Sequence, residues 1–338
     1  MVPITCRRSW GALSSIDSRV RSWVAPKDFK CIEFSVVVCF VLNNIGSSSP
    51  IYKQRERAMT KENIGFVGLG RMGMRMALRL VDSFSVFGTD KNSSLKNSSE
   101  TNGVTWADDS RSLVAICRHI FIVAGSESDV TEIIFGERGL IGGIDSETTI
   151  IVCATVRPSY MRALAERLSQ NEYIKLLDCP IARGEMAADS GDLLLFVGGD
   201  RQLLDSLTPI LNHIGSDIEF LGPIGSGQVA KAVNNYLLWA CLTASMEGLD
   251  FGERMGVDRE RMRAALEKSS GANWAMSTRA DDRPALWAEK DMALFLSEAD
   301  RLRFSTPIAG QVREAIKLFK LDRHLDRSPD LEEFQFPG

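Results

Sequence analysis

The chain has 338 residues, is 44% hydrophobic and carries a formal net charge of −4 at pH 7. This length leaves room for two domains of ordinary size, and the hydrophobic content is sufficient to build their cores. The sequence contains no basic stripe of the kind that nucleic-acid binding requires. The longest apolar run near its start, Phe34–Leu42, is well short of the roughly 20 residues that a membrane helix needs. We therefore expect a globular protein without a nucleic-acid or membrane partner.

Residues 1–58 differ in charge from the rest of the chain. They contain nine Lys and Arg against four Asp and Glu, whereas the remainder contains 31 against 40. We interpret them as a leader of uncertain order or an over-extended start, because Met59 directly precedes the first predicted strand. An organellar targeting segment is the second interpretation, which Asp17, Asp28 and Glu33 disfavour. A cytoplasmic location is expected, because the seven cysteines show no C-x-x-C or zinc-like spacing.

The first predicted element is a short strand, Ile64–Val67, that leads into a glycine-rich turn. Gly68, Gly70 and Gly73 form a Gly-x-Gly-x-x-Gly pattern at the start of a helix-favouring stretch. Glycines at this spacing let backbone N–H groups at a helix N-terminus approach a pyrophosphate. A second apolar run ends at Asp90, about 20 residues further on, where a carboxylate would meet the ribose hydroxyls. The pattern predicts a dinucleotide site with NAD preferred over NADP, since the carboxylate would repel a 2′-phosphate.

Short apolar runs then recur between helical stretches, at residues 119–124, 148–154, 175–178, 193–197 and 217–221. Continuous runs of this length are typical of a mostly parallel sheet that is covered on both faces. After Gly225 no convincing strand appears, and helices are predicted at residues 228–254, 259–268, 290–304 and 307–319. The expected fold is therefore α/β, with a Rossmann-type doubly wound sheet in residues 59–223 and an all-α C-terminal domain in residues 224–338.

One predicted helix of the C-terminal domain combines a buried character with two polar residues. Lys231 and Asn235 lie one turn apart on the same helix face, and the residues that follow, 236–246, are nearly all apolar. An amine that exchanges a proton, with an amide beside it to hold an oxygen, suits acid/base chemistry on an alcohol or a carbonyl. A solvated surface pair is the alternative interpretation. Because this helix joins the two predicted domains, we expect cofactor and substrate to meet at it.

With these residues assembled, the chain from residue 64 to residue 319 resembles the β-hydroxyacid dehydrogenase family, whose members include 3-hydroxyisobutyrate dehydrogenase, tartronate semialdehyde reductase and L-threonate dehydrogenase. Four segments in the family's order give the resemblance: Gly68–Gly73, Asp178–Gly184, Gly225–Asn235 and Lys290–Asp291. The family's catalytic pattern, Gly-x-Gly-x-x-x-Lys-x-x-Asn-Asn, is matched at every defined position. The resemblance implies an NAD(P)-dependent oxidoreductase that transfers a hydride between the nicotinamide and a small β-hydroxyacid or its semialdehyde or keto form.

The resemblance also implies roles for individual residues. Lys231 is implied as the catalytic acid/base, Asn235 as a residue that places the substrate, and Lys290 as a residue over the nicotinamide or the substrate carboxylate. The implied cofactor-binding residues are Gly68, Leu69, Gly70, Arg71, Met72, Gly73, Asp90, Val123, Ala124, Thr155 and Lys290. The implied substrate-binding residues are Ala182, Arg183, Gly184 and Lys290. We expect no metal.

The stretch Asp178–Gly184 departs from the family at two positions. Ala182 replaces a serine, and Arg183 replaces a glycine in the segment that normally holds the substrate's carboxylate. We expect the Arg183 guanidinium to have taken over recognition of an anionic group, because its fork matches a carboxylate. The alternative is that Arg183 faces solvent or pairs with Glu185.

Two other functions remain open at this point: an imine reductase-like enzyme and a non-catalytic NAD(P)-binding protein. Lys231 disfavours both of them. A 2-hydroxyacid dehydrogenase is disfavoured because no histidine sits beside such a pair; the three are His119, His213 and His324. Three tryptophans are interpreted as packing residues, with a substrate pocket as the alternative: Trp239, Trp274 and Trp287. The buried character of the Lys231 helix suggests a homodimer or a larger homo-oligomer.

Overall fold

The computed structural model describes residues 61–279 and 285–326, and the predicted leader, residues 1–58, lies outside them. The strands of the described residues are β1 (Asn63–Val67), β2 (Ser85–Thr89), β3 (Thr105–Trp106), β4 (His119–Ile122), β5 (Thr148–Val152), β6 (Ile174–Asp178), β7 (Ile181–Ala182), β8 (Leu193–Gly199) and β9 (Gly215–Gly222). The helices interleaved with them are α1 (Gly73–Leu78), α2 (Lys96–Thr101), α3 (Ser110–Val114), α4 (Glu127–Phe135), α5 (Pro158–Leu168), α6 (Gly184–Ser190) and α7 (Arg201–Leu211). The helices that follow the last strand are α8 (Ser226–Arg254), α9 (Arg259–Leu266), α10 (Trp274–Thr278), α11 (Ala288–Arg301) and α12 (Pro307–Asp322).

Six neighbouring strands run parallel in the order β3-β2-β1-β4-β5-β6. This is the order of the doubly wound dinucleotide-binding fold, in which the strand order reverses between β1 and β4. Beyond β6, β8 pairs antiparallel with β6 and β7 and parallel with β9. The predicted Rossmann-type sheet is confirmed. Strands β3 and β7 were not predicted, because two residues are too few to form an apolar pattern.

The central strands are buried on both faces, which explains their continuous apolar sequences. All five residues of β5 are buried. On one side of the sheet, the ring of Phe66 stacks on that of Phe121 with centroids 4.8 Å apart. On the other side, Ile120 and Ile150 are fully buried beneath the covering helices. The methionines of the first helix also pack into the core; Met76 is fully buried there.

Helix α8 is the longest of the described helices, with 29 residues, and it packs against α10, α11 and α12. Trp239, Met292 and Ile316 form part of the hydrophobic cluster that holds these helices together. The predicted all-α region is confirmed for the described residues, and α10 is a short additional helix. Sheet and helices belong to one compact unit. Within it, we propose a domain boundary at residues 223–224, between β9 and α8.

The carboxylate of Asp178, at the end of β6, joins the sheet to α8. Its Oδ2 atom accepts hydrogen bonds from the backbone N–H groups of Gly225, at 3.0 Å, and Gln228, at 3.2 Å. Asp178 is fully buried, and its Oδ1 atom has no hydrogen-bond partner among the described residues. Burial raises the pKa of Asp178 to about 6, although the hydrogen bonds from the helix N-terminus oppose that shift. The folded protein therefore binds a proton at Asp178 more tightly than the unfolded chain does.

This raised pKa predicts a pH-dependent stability. A raised carboxyl pKa adds stability that is fully present below the unfolded pKa, near 4, and is lost as pH rises through about 6. An Asp178→Asn variant lacks this titration. Relative to the free energy of unfolding of the wild type, that of the variant should therefore rise by about 2 kcal/mol between pH 4 and pH 7. Urea unfolding of both proteins across this range measures the difference.

The matched control is Asp205→Asn, because Asp205 is an exposed aspartate that pairs with Arg201 across one helical turn. The difference in free energy of unfolding between Asp205→Asn and the wild type should change little with pH. The raised pKa would be contradicted if Asp178→Asn and the wild type differed in free energy of unfolding by the same amount from pH 4 to pH 7.

Candidate active site

A glycine turn lies at the ends of β1 and β4, where the strand order reverses. Gly68 has a left-handed φ of 97°, and a Cβ atom there would collide with the carbonyl oxygen of Val123. A Cβ atom on Gly73 would collide with the carbonyl oxygen of Gly68, whereas one on Gly70 would meet no atom within 4 Å. Helix α1 begins at Gly73 without a side-chain cap, which leaves N–H groups for an anion. The turn is closely packed at Gly68 and Gly73 and open at Gly70, so it has space for a pyrophosphate next to Gly70.

Asp90 follows β2 and is held at the edge of this turn. Its Oδ2 atom accepts a hydrogen bond from the Leu69 N–H group at 2.7 Å, and its Oδ1 atom accepts one from Asn92 at 2.8 Å. Each carboxylate oxygen keeps a lone pair that can accept from a ribose hydroxyl. Leu69 does not line the neighbouring cavity, and its predicted contact with the cofactor stays a prediction. Its N–H group is used by Asp90, and its side chain is buried in the core against Gly88.

A cavity of about 1110 Å³ extends from the glycine turn to α8. It exceeds the roughly 300–1,000 Å³ of an ordinary ligand pocket, so it has room for a dinucleotide together with a small substrate. All of the other predicted site residues line it, namely Gly68, Gly70, Arg71, Met72, Gly73, Asp90, Val123, Ala124, Thr155, Ala182, Arg183, Gly184, Lys231, Asn235 and Lys290. Three tryptophans interpreted as packing residues line it as well, namely Trp239, Trp274 and Trp287. The three histidines do not.

One face of α8 presents Lys231, Asn235 and Trp239 on successive turns. The indole N–H of Trp239 donates to Oδ2 of Asp291 at 2.9 Å, and the Asn235 side chain also donates a hydrogen bond to Asp291. The Oδ1 atom of Asn235 accepts from Asn234 at 3.0 Å. Sequence reasoning gave Asp291 no role. Its place beside Lys290, in the Lys290–Asp291 segment that resembles the family, was the available signal.

Lys231 is partly exposed to the cavity, and its charge state is set by its neighbours. Burial lowers the pKa of the Lys231 amine, and the carboxylate of Asp291 opposes that shift. The positive charges of Arg279 and Lys290 lower the pKa further. The neutral amine is therefore more accessible near neutral pH than that of an ordinary lysine, as a general base requires.

Lys290 is buried at the end of the cavity next to α8. Its amine donates hydrogen bonds to the backbone carbonyls of Gly125 and of Thr155, the latter at 3.3 Å, and it lies 5.5 Å from the ring centre of Trp287. These carbonyls belong to the segments that follow β4 and β5. Lys290 thus ties α11 to the cofactor side of the cavity.

The role of the Arg183 guanidinium in holding an anionic substrate group stays a prediction, which the ion pair of this guanidinium disfavours. Its Nη1 atom donates to Oδ2 of Asp217 at 2.6 Å and to Oγ of Ser216 at 3.0 Å, so the guanidinium already has an anionic partner on β9. Glu185, the alternative partner, pairs with Arg71 and Arg75 instead. Arg183 lines the cavity, and its backbone has a left-handed conformation with φ of 82°, which explains why glycine suits this position in the family.

Among the described residues, no helix is long and apolar enough to cross a membrane. The same residues contain no group of three or more His, Cys, Asp and Glu side chains that could hold a metal ion.

Two family models match consecutive parts of the chain. The NAD binding domain of 6-phosphogluconate dehydrogenase matches residues 63–222, and the NAD-binding domain of NADP-dependent 3-hydroxyisobutyrate dehydrogenase matches residues 225–331. These ranges meet between β9 and α8, where the sheet gives way to helices.

Known proteins of similar sequence are oxidoreductases. A 3-hydroxyisobutyrate dehydrogenase of Pseudomonas aeruginosa is 27% identical over 76% of this chain and 91% of its own length. An NAD-dependent L-serine dehydrogenase of the same organism is 29% identical over 64% of this chain and 72% of its own length. An uncharacterized oxidoreductase of Bacillus subtilis is 28% identical over 73% of this chain and 89% of its own length.

Solved structures share the fold. The 3-hydroxyisobutyrate dehydrogenase of Mycobacterium tuberculosis, in a structure with L-serine, has a TM-score of 0.71 at 23% identity and covers 80% of this chain and 97% of its own. An imine reductase of Myxococcus stipitatus has a TM-score of 0.58 at 17% identity and covers 77% of this chain and 95% of its own. The matched family models, together with the glycine turn and the Lys231 helix, show that the chain belongs to the β-hydroxyacid dehydrogenase family of NAD(P)-dependent oxidoreductases.

Proposed function

We propose that the protein transfers a hydride between the nicotinamide of NAD and a small β-hydroxyacid or its semialdehyde or keto form, with Lys231 as the general acid/base. The observation that supports this most directly is the position of Lys231. Its amine lies in the same cavity as the glycine turn, with its pKa lowered by burial and by neighbouring cations. No other lysine on α8 faces the cavity, because Lys231 is the only lysine in that helix.

The names of the relatives narrow the proposed substrate class. The similar proteins include dehydrogenases named for 3-hydroxyisobutyrate, 2-(hydroxymethyl)glutarate and L-serine. In each of these molecules a hydroxymethyl group is attached to the carbon next to a carboxylate. We extend this class to the present chain. The protein would then oxidise a primary alcohol whose carbinol carbon is separated from the carboxylate carbon by one carbon atom, or reduce the matching aldehyde.

Each residue of the proposed site has a separate role. When bound, the nicotinamide supplies or accepts the hydride at the carbinol carbon. In oxidation the neutral amine of Lys231 takes the hydroxyl proton, and in reduction the ammonium returns it. Asn235 is fixed by Asn234 and Asp291, so its position beside Lys231 suits a hydrogen bond to the reacting oxygen. Ala182, Arg183 and Gly184 would face the substrate through their backbone.

The alternative functions have less support. The imine reductase of Myxococcus stipitatus resembles this chain at 17% identity, a likeness that concerns the fold alone. A non-catalytic protein would have no need for a lysine whose pKa is lowered inside the cofactor cavity.

We also propose a homo-oligomer in a reducing, cytoplasmic environment. Val229, Val233 and Leu237 form a stripe along α8 and are 42–53% exposed, an apolar surface that a second copy could cover. Cys117, Cys153, Cys179 and Cys241 are free thiols, in agreement with a reducing compartment.

Replacing Lys231 by alanine should remove the proton acceptor while leaving the glycine turn intact. We expect kcat for oxidation to fall by roughly 100-fold or more, the usual scale of general acid/base catalysis, with NADH affinity nearly unchanged. The assay follows nicotinamide absorbance with 3-hydroxyisobutyrate, L-serine and 2-(hydroxymethyl)glutarate, and fluorescence titration gives the Kd of NADH. The control is Lys175→Ala, because Lys175 is exposed on β6. Normal turnover by Lys231→Ala would refute its assignment.

The surroundings of the ribose favour NAD over NADP. Asp90 marks the ribose position, and Lys91, the next residue, pairs with Asp129 of α4 at 2.8 Å. Two carboxylates against one amine leave a net negative charge, which repels a 2′-phosphate. Because Lys91 is 83% exposed, this pair contributes at most about 1 kcal/mol. Asp90 should therefore be the larger determinant and Asp129 the smaller one.

We expect the wild type to bind NADH more tightly than NADPH. Asp129→Asn should raise NADPH affinity by about fivefold, the equivalent of about 1 kcal/mol, and Asp90→Ser should raise it by more. Fluorescence titrations with both nucleotides measure these changes, and the exposed Asp205→Asn serves as the control. Tighter binding of NADPH than of NADH by the wild type would overturn this explanation.

A further inference from the structure

Two cysteines follow the ends of neighbouring strands of the sheet. Cys153 is the residue after β5 and Cys179 the residue after β6, and the N–H group of Cys179 donates to the carbonyl of Val152 at 2.9 Å. The two strands are parallel, with Val152 paired to Asp178, so the two cysteines are neighbours across the strands. Both side chains belong to the same hydrophobic cluster and therefore lie on the same face of the sheet.

The two thiols are close enough to become a disulfide. Neighbouring strands are about 4.8 Å apart, within the roughly 4.4–6.8 Å that separates the Cα atoms of disulfide-bonded cysteines. The thiol of Cys179 already forms a hydrogen bond with that of Cys153, and this bond, together with burial, raises the pKa of the Cys179 thiol. Because both residues lie beyond the last paired residues of β5 and β6, a link between them requires no change in the pairing of these strands.

The two cysteines differ in their access to an oxidant. Cys153 lines the cavity that contains the glycine turn, although it is only 3% exposed. Cys179 is fully buried in the core of the sheet. A buried thiol with a raised pKa is a poor first target, because the thiolate is the nucleophile. A small oxidant in the cavity therefore meets Cys153 first, and Cys179 is the second thiol.

We propose that Cys153 and Cys179 are a reversible oxidation site, at which a peroxide that enters the cofactor cavity converts the two thiols into a disulfide. The Cys153 thiolate attacks one oxygen of hydrogen peroxide and the O–O bond breaks. Cys153 becomes a sulfenic acid, and the other oxygen leaves as hydroxide, which takes up the proton that the thiol released. The Cys179 sulfur then attacks the Cys153 sulfur and displaces hydroxide, which leaves as water with the Cys179 proton. In total the two thiols lose two electrons and two protons, and the peroxide is reduced to two waters.

The place of the pair links this oxidation to the cofactor. Cys153 directly precedes Ala154 and Thr155, which line the same cavity, so a bound dinucleotide fills the space through which a peroxide reaches the thiol. The protein without cofactor is then the form that is oxidised. The disulfide joins the two segments that hold the first turn of α8, through Asp178 and the carbonyl of Ala154. Neither the pair nor its oxidation depends on the proposed substrate.

The test follows the link by mass spectrometry, so it needs no substrate. The full-length protein is treated with hydrogen peroxide, its remaining thiols are blocked, and its peptides are mapped before and after reduction with dithiothreitol. Parallel samples contain dimedone, which labels sulfenic acids. The wild type is compared with Cys153→Ala and Cys179→Ala. The control is Cys241→Ala, because Cys241 is a thiol that also lines the cavity.

We expect a peptide pair joined through Cys153 and Cys179 in the wild type and in Cys241→Ala, and we expect dithiothreitol to separate it. In Cys179→Ala dimedone should label Cys153, because the second thiol is missing. In Cys153→Ala it should leave Cys179 unlabelled. NAD at about ten times its Kd should slow formation of the link roughly tenfold, since only the cofactor-free fraction reacts.

Three results would overturn the proposal. Cys153 and Cys179 could remain thiols in the wild type under peroxide, a result that does not depend on the folding of any variant. Dimedone could label Cys179 in Cys153→Ala, which would reverse the order of the two thiols. The link could form equally fast with and without NAD, which would exclude the cavity as the route of the peroxide. Since turnover is not measured, each of these results leaves the proposed hydroxyacid chemistry untouched, and failure of that chemistry leaves these results valid.

Discussion

The contact between the sheet and the first turn of α8 determines where the chemistry of this protein takes place. Asp178, at the end of β6, accepts from the N–H groups of Gly225 and Gln228. The buried Gln228 side chain donates to the carbonyl of Ala154 at 2.9 Å and accepts from the N–H of Val156 at 3.1 Å. The start of α8 is thereby fixed to the segments that follow β5 and β6. Lys231 begins the next turn, so its amine is held in the cavity that also contains the glycine turn.

The charged residues that line the cavity differ between its two ends. Each end matches one of the two molecules that the cavity would hold. Asp90 and Asp129 lie near its ribose end, and the backbone N–H groups of the glycine turn lie in the middle. The α8 end combines Lys231 and Arg279 with a single buried carboxylate, Asp291. Hydroxyl groups would thus meet carboxylates, phosphates would meet amides, and an anionic substrate would meet cations. Asp291 also fixes Trp239 and Asn235, so one carboxylate both orders the site and limits the fall of the Lys231 pKa.

The parts of this fold that could be predicted from the sequence are those encoded by local patterns. The glycine turn, the apolar strands and the spacing of Lys231 and Asn235 each occupy one short segment. The side-chain position of Leu69 could not be predicted, because the pattern fixes the backbone of the turn, whereas the direction of the side chain depends on space beside Gly88. The ion pair of Arg183 could not be predicted either, because its partner, Asp217, is 34 residues away on another strand.

Arg279 and Asp291 were given no role from the sequence, for the same physical reason. Arg279 belongs to no motif, and Asp291 belongs to the Lys290–Asp291 segment, which does not show the partners of its carboxylate. Each gains its place only when α10 and α11 pack against α8. A buried ion or guanidinium at such a junction becomes visible only from tertiary contacts. The sequence therefore predicts the place of Lys231 in the cavity better than the side chains that surround it.

The charge state of Lys231 is the property on which the proposed chemistry depends most directly. An NMR titration of the protein labelled with 13C and 15N at lysine would measure it without knowledge of the substrate, and Lys231→Arg would assign the signal. The expected result is one lysine that titrates clearly below the ordinary value of 10.5, with its signal absent from Lys231→Arg. Titration of Lys231 together with the exposed lysines, near 10.4, would contradict its role as a general base.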